Sequence, residues 1–346
     1  MSVANNTTLL DIPPQDWGAK IEQFGGKKYQ GKIATRWVFQ RGILDWRNMT
    51  DLPAGLRDTL HQELPLLTAK LETQSKANDD GAVKLLLRLA DGASVEAVSM
   101  PGTKGRTICL STQVGCPVRC TFCASGADGL ERNLTRGEIV EQWLWLRAEC
   151  GDFGRVVIMG MGDAGHNLKA TLGALDTLLD ERGANFSSRR VTVSTVGPKG
   201  ALAQLAAWER PVSLALSVHA PDDDLRRTLV PGVAKRTLEE TLQEADGLFA
   251  AHGREYTIEY VLLRGVNDHT EQARDLAKQL RGRRCHVNLI PYNPVEGLGY
   301  DRPEQKTSER FADTMRSLGC TVTLRHSLGS SADAACGQLR RRQLPC

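Results

Sequence analysis

The sequence predicts an α/β protein, namely an incomplete (β/α)6 barrel preceded by a small N-terminal helical domain. In the later part of the 346-residue chain, short apolar, β-branched runs alternate with amphipathic stretches of helical period. Continuous apolar strands separated by helices are typical of parallel β-α units. The first 75 residues instead show helical periodicity. An open doubly wound sheet would give the same alternation, so periodicity alone does not separate it from a barrel.

Changes in this pattern divide the chain into three parts. Residues 1–75 form the small helical domain, and residues 76–104 form a linker with a β extension. Residues 105–346 form the partial barrel and end in a loop that carries Cys336. A chain of this length exceeds one average domain, so a large core domain with an appendage is expected.

The elements follow in chain order. The small domain contains predicted helices Tyr29–Ile43 and Leu56–Leu67, and the β extension contains the strand pair Val83–Leu89 and Ser94–Met100. The predicted barrel strands are Arg106–Ser111, Arg155–Met161, Arg190–Thr195, Val212–Val218, Tyr256–Leu262, His286–Ile290 and Cys320–Leu324. The helices between them are one that opens with the capping box Thr135-x-x-Glu138, then Asn167–Leu179, Lys199–Trp208, Leu238–Ala250, Thr270–Leu280 and Ser308–Leu318.

Composition sets broad limits on function. The net charge is only +3, from 44 basic and 41 acidic residues, which neither requires nor excludes a nucleic-acid partner. No apolar run reaches membrane-spanning length, so we expect no membrane partner. Nine cysteines without a secretory signal favour reduced thiols or metal ligands over a disulfide framework. We therefore expect a cytoplasmic protein, with a monomer as the default.

The most informative motif is the loop Gly-Cys-Pro-Val-Arg-Cys-Thr-Phe-Cys, which holds Cys116, Cys120 and Cys123. In this C-x3-C-x2-C spacing, three thiolates can bind three irons of a 4Fe–4S cluster and leave the fourth iron open. A zinc site usually has four protein ligands, often in two C-x2-C pairs, and the chain has no second pair. Three unrelated buried thiols are the remaining alternative.

Short polar motifs follow the predicted barrel strands at their carboxyl ends. Chemistry in β/α barrels gathers at those ends, where the connecting loops converge. Each motif alone is weak, since a Gly-x-Gly turn is usually only a turn and a single His is usually a core residue. Together they predict one site at one end of the barrel. The motifs are the cysteine loop, Gly160–Asp163, Ser194–Thr195, Ser217–His219, Gly265–Asp268 and Pro291–Pro294.

Several longer stretches carry a family resemblance. They are Arg106-Thr-Ile-Cys109-Leu-Ser-Thr-Gln-Val-Gly-Cys116, Arg189-Arg-Val-Thr-Val-Ser194-Thr, Leu216-Ser-Val-His219-Ala-Pro, Glu259-Tyr-Val-Leu-Leu-Arg-Gly-Val-Asn267-Asp, Asn288-Leu-Ile-Pro-Tyr-Asn293-Pro and Ala334-Ala-Cys336-Gly-Gln-Leu. With the cysteine spacing, they resemble the RlmN/Cfr family of radical S-adenosylmethionine (SAM) RNA methyltransferases. The resemblance is strong over about residues 90–340 and weak before them.

The resemblance implies two cofactors and a set of site residues. Cys116, Cys120 and Cys123 would hold the 4Fe–4S cluster, and SAM would bind its open iron. The residues implied to contact SAM are Gly162, Asp163, Ser194, Ser217, Val218, His219 and Asn293. The implied catalytic residues are Cys336, which carries the methyl group, Cys109, which releases the product, and Glu96, which accepts a proton.

The implied reaction is methylation of an adenine carbon in large-subunit ribosomal RNA, with carbon 2 favoured over carbon 8 and transfer RNA as a further candidate substrate. An electron donor such as a flavodoxin-type protein would be a partner. In the helical domain, basic residues could contact phosphates, although a cap that only packs on the barrel is an equal alternative. These residues are Lys27, Lys28, Lys32, Arg36, Arg41 and Arg47.

Two departures from the family pattern keep alternatives open. One is the segment Gly329–Asp333, where relatives commonly carry an acidic residue directly after the glycine or one position later, and the other is at Asp163. The family usually has Glu where this chain has Asp163, and Asp reaches one methylene less. His166 could substitute locally, although a solvated loop histidine is the simpler interpretation. The alternatives are a radical SAM enzyme for another RNA or a small molecule, and a non-catalytic iron–sulfur RNA-binding protein.

Overall fold

The computed structural model of the protein describes residues 8–78, 80–102, 105–233, 235–325, 333, 335 and 337–339. The strands in this part of the chain are β1 (Lys70–Lys76), β2 (Val83–Arg88), β3 (Ser94–Met100), β4 (Arg106–Cys109), β5 (Gln113–Gly115), β6 (Leu130–Asn133), β7 (Phe153–Ile158), β8 (Val191–Thr195), β9 (Ser213–Ser217), β10 (Tyr256–Leu262), β11 (Cys285–Pro291) and β12 (Val322–Leu324).

The α-helices of the same residues lie mostly between the barrel strands. They are α1 (Trp17–Glu22), α2 (Gln30–Thr35), α3 (Ala54–Glu63), α4 (Arg136–Cys150), α5 (Leu168–Leu179), α6 (Ala201–Ala207), α7 (Asp223–Leu229), α8 (Leu238–His252), α9 (Thr270–Leu280) and α10 (Gln305–Ser317).

One ten-stranded sheet organises the fold, in the order β1-β2-β3-β4-β7-β8-β9-β10-β11-β12. The strands from β4 to β12 in this sheet are parallel, whereas β1 to β4 are antiparallel. Spatial order follows chain order throughout, without the reversal that defines a doubly wound sheet. The prediction of an incomplete barrel of β-α units is therefore confirmed.

Local sequence signals explain the elements whose bounds were predicted best. The capping box at the start of α4 forms, since the Glu138 amide donates to Thr135 Oγ1 at 3.2 Å and the Thr135 amide donates to Glu138 Oε2 at 2.9 Å. These two bonds satisfy amides that a helix start leaves without partners. Strand β10 and helix α9 begin and end at their predicted residues.

The N-terminal part differs from the prediction in detail. The predicted helix Tyr29–Ile43 is α2 followed by a π-helical turn, Arg36–Gln40. Helix α3 ends at Glu63, before Pro65, whereas the predicted helix continued to Leu67. Helix α1 and strand β1 were not predicted.

The N-terminal helices pack on α4 and share one apolar core with the barrel. The Gly137 amide donates to Asp11 Oδ1 at 2.8 Å. The buried Glu141 accepts hydrogen bonds from the amides of Thr68 and Ala69 at 2.7 and 2.6 Å. These contacts attach residues 8–69 to the barrel, while the three-part division of the chain stays a prediction. None of the described helices has both the length and the apolar character needed to cross a membrane.

Candidate active site at the carboxyl ends of the barrel strands

The predicted site residues gather at one edge of the sheet because the barrel strands are parallel. Cys109 ends β4, Ser194 lies near the end of β8, and Ser217 ends β9. Gly162 and Asp163 follow β7, and Asn293 follows β11. The hydroxyls of Ser194 and Ser217 lie 3.4 Å apart on neighbouring strands.

The cysteine loop (residues 116–126) begins directly after β5 and lies against α7. Cys116 is buried in an apolar cluster with Val118 and Phe122, and Cys120 and Cys123 pack against the same cluster. The loop is fixed from outside, because the Thr121 amide donates to the Leu229 carbonyl at 3.0 Å and the Gly232 amide donates to the Val118 carbonyl at 2.8 Å.

Burial dominates the electrostatics of the three thiols. It raises the pKa of Cys116 to about 12, and it also raises the pKa values of Cys120 and Cys123. Each thiol nevertheless has amide donors from its own loop, which favour the thiolate; Cys116 accepts from Val118 and Cys123 accepts from Ser125. Protonated thiols are therefore expected until a metal replaces the protons, and the amides then stabilise the ligating sulfurs.

A buried cation beside this loop supports the same chemistry. Arg226 of α7 is only 1% exposed, and its guanidinium donates to two neutral acceptors, the Val196 carbonyl at 3.0 Å and Thr241 Oγ1 at 3.5 Å. Burial lowers the Arg226 pKa to about 10, while Asp223 and, to a smaller extent, a thiolate at Cys120 raise it. A buried charge is stabilised by nearby opposite charge. A negatively charged iron–sulfur–thiolate group at the loop would add to the charge that Asp223 supplies.

These residues fit a cluster better than a single ion. No three His, Cys, Asp or Glu side chains in the described part of the chain converge on one metal position. A 4Fe–4S cluster does not require such convergence, because each thiolate binds a different iron. Cys116, Cys120 and Cys123 are the residues that would hold it.

Asp163 is buried, and its carboxylate is occupied by the protein. Oδ2 accepts the Val196 amide at 2.7 Å, and Oδ1 accepts the Thr195 hydroxyl at 2.8 Å. The same Oδ1 also accepts the His166 amide at 3.1 Å and lies 3.0 Å from His166 Nδ1. Asp163 therefore joins the loop after β7 to the loop after β8, and His166 is its partner rather than its substitute.

Glycine is required at position 162 for two reasons. Its φ of +95° is rare for residues with a side chain. An added Cβ would also lie 2.6 Å from the Gln113 Cβ. The Gln113 side chain in turn accepts the Asp163 amide at 2.8 Å.

His219 and Asn293 are both buried at strand ends. His219 has a φ of +62°, and its Nδ1 accepts the Val261 amide at 3.1 Å. Burial lowers its pKa to about 3, so the imidazole is neutral. The Val218 amide donates to the Glu259 carbonyl at 3.0 Å, and the His219 carbonyl accepts from Asn267 Nδ2 at 2.8 Å.

Glu96 lies on β3 with no solvent exposure, and its Oε1 forms an ion pair with Lys84 Nζ at 3.0 Å. The Ser111 hydroxyl also donates to the Glu96 carbonyl at 2.6 Å. Cys109, on the adjacent strand, is buried among Val98, Met161 and Leu339. Burial raises the Cys109 pKa to about 12, and the seven described cysteines are all free thiols.

Cys336 lies outside the described residues, but neighbours on both sides are described. We call residues 333–339 the C-terminal segment. The Gly337 carbonyl accepts the Ala124 amide at 2.9 Å, and the Leu339 carbonyl accepts the Ser125 hydroxyl at 2.9 Å. Gln338 donates to the Pro294 carbonyl at 3.2 Å. The segment thus binds both the cysteine loop and the loop after β11.

Comparison with known proteins identifies the family. The Radical SAM superfamily model matches residues 110–277, and the model of the ribosomal RNA large subunit methyltransferase N-terminal domain matches residues 7–65. A probable dual-specificity RNA methyltransferase RlmN from Rhodopirellula baltica is 46% identical over 95% of this chain and 88% of that relative. The chain belongs to the RlmN family of radical SAM RNA methyltransferases.

Two further matches agree with this assignment to the RlmN family. An RlmN relative from Alkaliphilus oremlandii is 39% identical over 97% of this chain and 98% of its own length. The crystal structure of a radical SAM methyltransferase from Sphaerobacter thermophilus superposes with a TM-score of 0.94, at 38% identity over 97% of this chain and all of that one.

Sequence reasoning within the RlmN family pattern missed three buried polar residues near the site. Lys84 pairs with Glu96, Arg226 lies beside the cysteine loop, and Glu259 accepts from Asn288 Nδ2 at 2.9 Å. Lys84 could have been noticed because it lies between Val83 and Leu85 in the predicted strand Val83–Leu89, where a buried position is expected. Arg226 and Glu259 gave no signal by spacing alone.

Proposed function

We propose that the protein methylates carbon 2 of an adenosine in large-subunit ribosomal RNA through an S-methylcysteine at Cys336. Bound SAM and a 4Fe–4S cluster would supply the methyl group and a 5′-deoxyadenosyl radical. Adenine carbons 2 and 8 are not nucleophilic, so direct methyl transfer to them is chemically unsuitable. A protein sulfur that first accepts the methyl group avoids this difficulty.

The observation that carries the proposal is the docking of the C-terminal segment onto the cysteine loop. Gly337, which follows Cys336, bonds to Ala124, one residue after the cluster ligand Cys123. A methyl carrier must lie near the SAM-binding group, and these contacts bring its chain neighbours to that loop. Ser194, Ser217 and Asn293 are the polar residues that would orient SAM there.

Cys109 is proposed to release the product. Its sulfur would attack the Cys336 sulfur, and the bond from that sulfur to the methylene carbon would break. The electron pair would remain on the carbon, which takes up a proton to complete the methyl group. The resulting disulfide would then be reduced by an external thiol. The packing of Cys109 with Leu339 of the C-terminal segment supports this role.

The 5′-deoxyadenosyl radical would remove a hydrogen atom from the S-methyl group, and the resulting methylene carbon would bond to the adenine carbon. Glu96 is proposed to accept the proton that leaves that adenine carbon, and the unpaired electron would return to the bound cluster. A carboxyl can accept a proton only in its ionised form, and Lys84 at 3.0 Å favours that form. Glu96 has no solvent exposure, so the proposal requires the C-terminal segment to move when RNA enters. Cys336 and Glu96 would therefore face the adenine in succession.

One face of the N-terminal helices has the properties of an RNA contact. Lys28, Lys32 and Arg36 recur every four residues and are exposed, and no carboxylate lies within 4.0 Å of them in the described part of the chain. Tyr29 beside them is 58% exposed. Unpaired cations can bind phosphates, and an exposed aromatic ring can stack on a base. We propose ribosomal RNA as the ligand of this face, with transfer RNA as a second substrate.

The test is anaerobic turnover of cluster-reconstituted protein with methyl-deuterated SAM and protein-free ribosomal RNA, followed by mass spectrometry of the nucleosides. We expect labelled 2-methyladenosine. Labelled 8-methyladenosine would show instead that carbon 8 is the methylated position. SAM cleavage without any labelled nucleoside would instead favour another substrate, and an intact cluster without SAM cleavage would favour a binding protein.

Two variants test the cysteine roles. Cys336→Ala is expected to abolish turnover, because no sulfur remains to carry the methyl group. Cys109→Ala is expected to leave RNA covalently attached to the protein, which a denaturing gel detects. Free methylated RNA from Cys336→Ala would contradict the proposed mechanism.

A further inference from the structure

Lys84 is unusual among the described lysines because it is buried, at 5% exposure, in strand β2 between Val83 and Leu85. Its ammonium group has two partners. One is Glu96 Oε1 at 3.0 Å, and the other is the backbone carbonyl of Asp333 at 3.2 Å. A buried ammonium is stable only with such partners.

The strand register explains the first contact. In the β2–β3 ladder, Leu86 lies opposite Glu96 and Lys84 lies opposite Val98. Lys84 is therefore displaced by two residues from the partner of Glu96 and lies on the same face of the sheet. At this diagonal spacing a long side chain reaches its neighbour.

The second contact spans 249 residues of sequence and reaches the C-terminal segment three residues before Cys336. The segment has other attachments at Ala124, Ser125 and Pro294, which use neutral groups. Lys84 thus contacts both Glu96 and this segment.

We propose that Lys84 is a positioning residue whose single ammonium group holds the Cys336-bearing segment and the Glu96 carboxylate together. This inference rests on the proposed roles of Cys336 and Glu96. An ammonium has three donors and no acceptor, so it can bind the carbonyl and the carboxylate at once. Methionine has a similar length but can bind neither.

Two consequences follow for Lys84→Met. The C-terminal segment loses one of its attachments, so Cys336 should become more accessible. Glu96 also loses the Lys84 ammonium, and loss of a nearby cation shifts a buried carboxyl toward its protonated form. A protonated Glu96 cannot accept another proton from the substrate.

The first measurement uses cluster-free protein and no RNA. Cys336 is alkylated with limiting iodoacetamide, and its labelling rate is compared with that of Cys150 in the same digest by mass spectrometry. Lys84→Met should raise the Cys336 rate about ten-fold or more, the size expected for the loss of one hydrogen bond from a charged group. Lys76→Met, an exposed lysine on the neighbouring strand β1, is the matched control and should leave the rate unchanged.

The second measurement tests the link to Glu96. Lys84→Met should lower single-turnover methylation in the presence of Glu96 but cause no further loss in a Glu96→Gln background. The double variant also removes both buried charges, so it serves if Lys84→Met alone does not fold. In the double variant, Cys336 labelling should still exceed that of Glu96→Gln alone.

The outcomes separate this inference from the proposed function. Unchanged Cys336 labelling in both Lys84 variants would overturn the inference even if the enzyme methylates RNA. An equal loss of turnover with and without the Glu96 carboxylate would also overturn it. Failure of the wild-type protein to methylate RNA would reject the proposed function while leaving the labelling result interpretable.

Discussion

The cysteine loop and the turn that contains Asp163 both follow barrel strands at the same edge of the sheet, but their polar atoms are used differently. The three sulfurs of the loop accept hydrogen bonds from its own N–H groups, and Cys120 lies near the buried cation Arg226. The carboxylate of Asp163 is instead occupied by His166, Thr195 and Val196. A polar residue at a strand end is therefore a candidate ligand only if its atoms remain available.

The largest effect is expected from removing a sulfur of the cysteine loop. Cys120→Ala should abolish cluster binding, because two thiolates cannot hold three irons. Iron content and visible absorbance after anaerobic reconstitution measure this loss. Cys150→Ser is the matched control, since Cys150 ends α4 away from the loop and should retain the full iron content. Four irons per chain in Cys120→Ala would show that the loop is not the cluster site.

A moderate effect is expected at Asp163. Asp163→Asn replaces one of the two carboxylate oxygens by an amide nitrogen, which cannot accept a hydrogen bond. In either orientation of the amide, at least one buried donor that now bonds to Asp163, such as the Val196 amide, loses its acceptor. The free energy of unfolding should fall by about 2 kcal/mol, as for a lost hydrogen bond to a charged group. Chemical denaturation of the cluster-free protein measures the change.

The same variant separates an anchor from a ligand. If Asp163 acted mainly on SAM, Asp163→Asn would leave the unfolding free energy unchanged and would weaken SAM binding to the reconstituted protein. That result would show that the Asp163 carboxylate, like the thiols of the cysteine loop, is available to bind a ligand.

The smallest effect is expected from Arg226→Met, which removes the buried cation but none of the cluster ligands. Reduction adds negative charge to the cluster, so loss of the cation should make the midpoint potential more negative. For a separation on the order of 10 Å and an effective dielectric constant of about 20, the interaction is about 1–2 kcal/mol, or on the order of 50 mV.

An electron paramagnetic resonance redox titration measures this potential. Arg227→Met is the matched control, because Arg227 is half exposed on the same helix and paired with Asp224. Equal potentials for wild type and Arg226→Met would show that the buried guanidinium serves only to join α7 to Val196 and Thr241.

Much of the barrel was predictable because its signals are local. Strand β10 is rich in aromatic, β-branched and apolar residues, and α9 has a regular apolar spacing, so both have the predicted bounds. Strand β1 could not be predicted in this way. Its sequence, Lys-Leu-Glu-Thr-Gln-Ser-Lys, has one apolar residue, and it is a strand because it pairs with β2 at the edge of the sheet.

The site was predictable in position but not in the use of its atoms. Chain order and strand direction were sufficient to predict that Ser194 and Ser217 would meet. The partners of Asp163 come from a different strand, and the partner of Glu96 depends on the hairpin register. The contact between Lys84 and Asp333 depends on the complete tertiary structure.

The contact between Lys84 and Asp333 also bears on the order in which the parts of the site form during synthesis. Chains emerge and fold from the N terminus, so β2, β3 and the cysteine loop are available well before the C-terminal segment. The hydrogen-bond acceptors of Lys84 and Ser125 in the C-terminal segment lie 249 and 214 residues later in the chain and are synthesised after them. The nascent barrel therefore lacks both the bonds of that segment and Cys336 itself until residues 333–339 have been synthesised. A truncated chain that stops before residue 333 would contain Cys116, Cys120 and Cys123, the proposed cluster ligands, but not Cys336, the proposed methyl carrier.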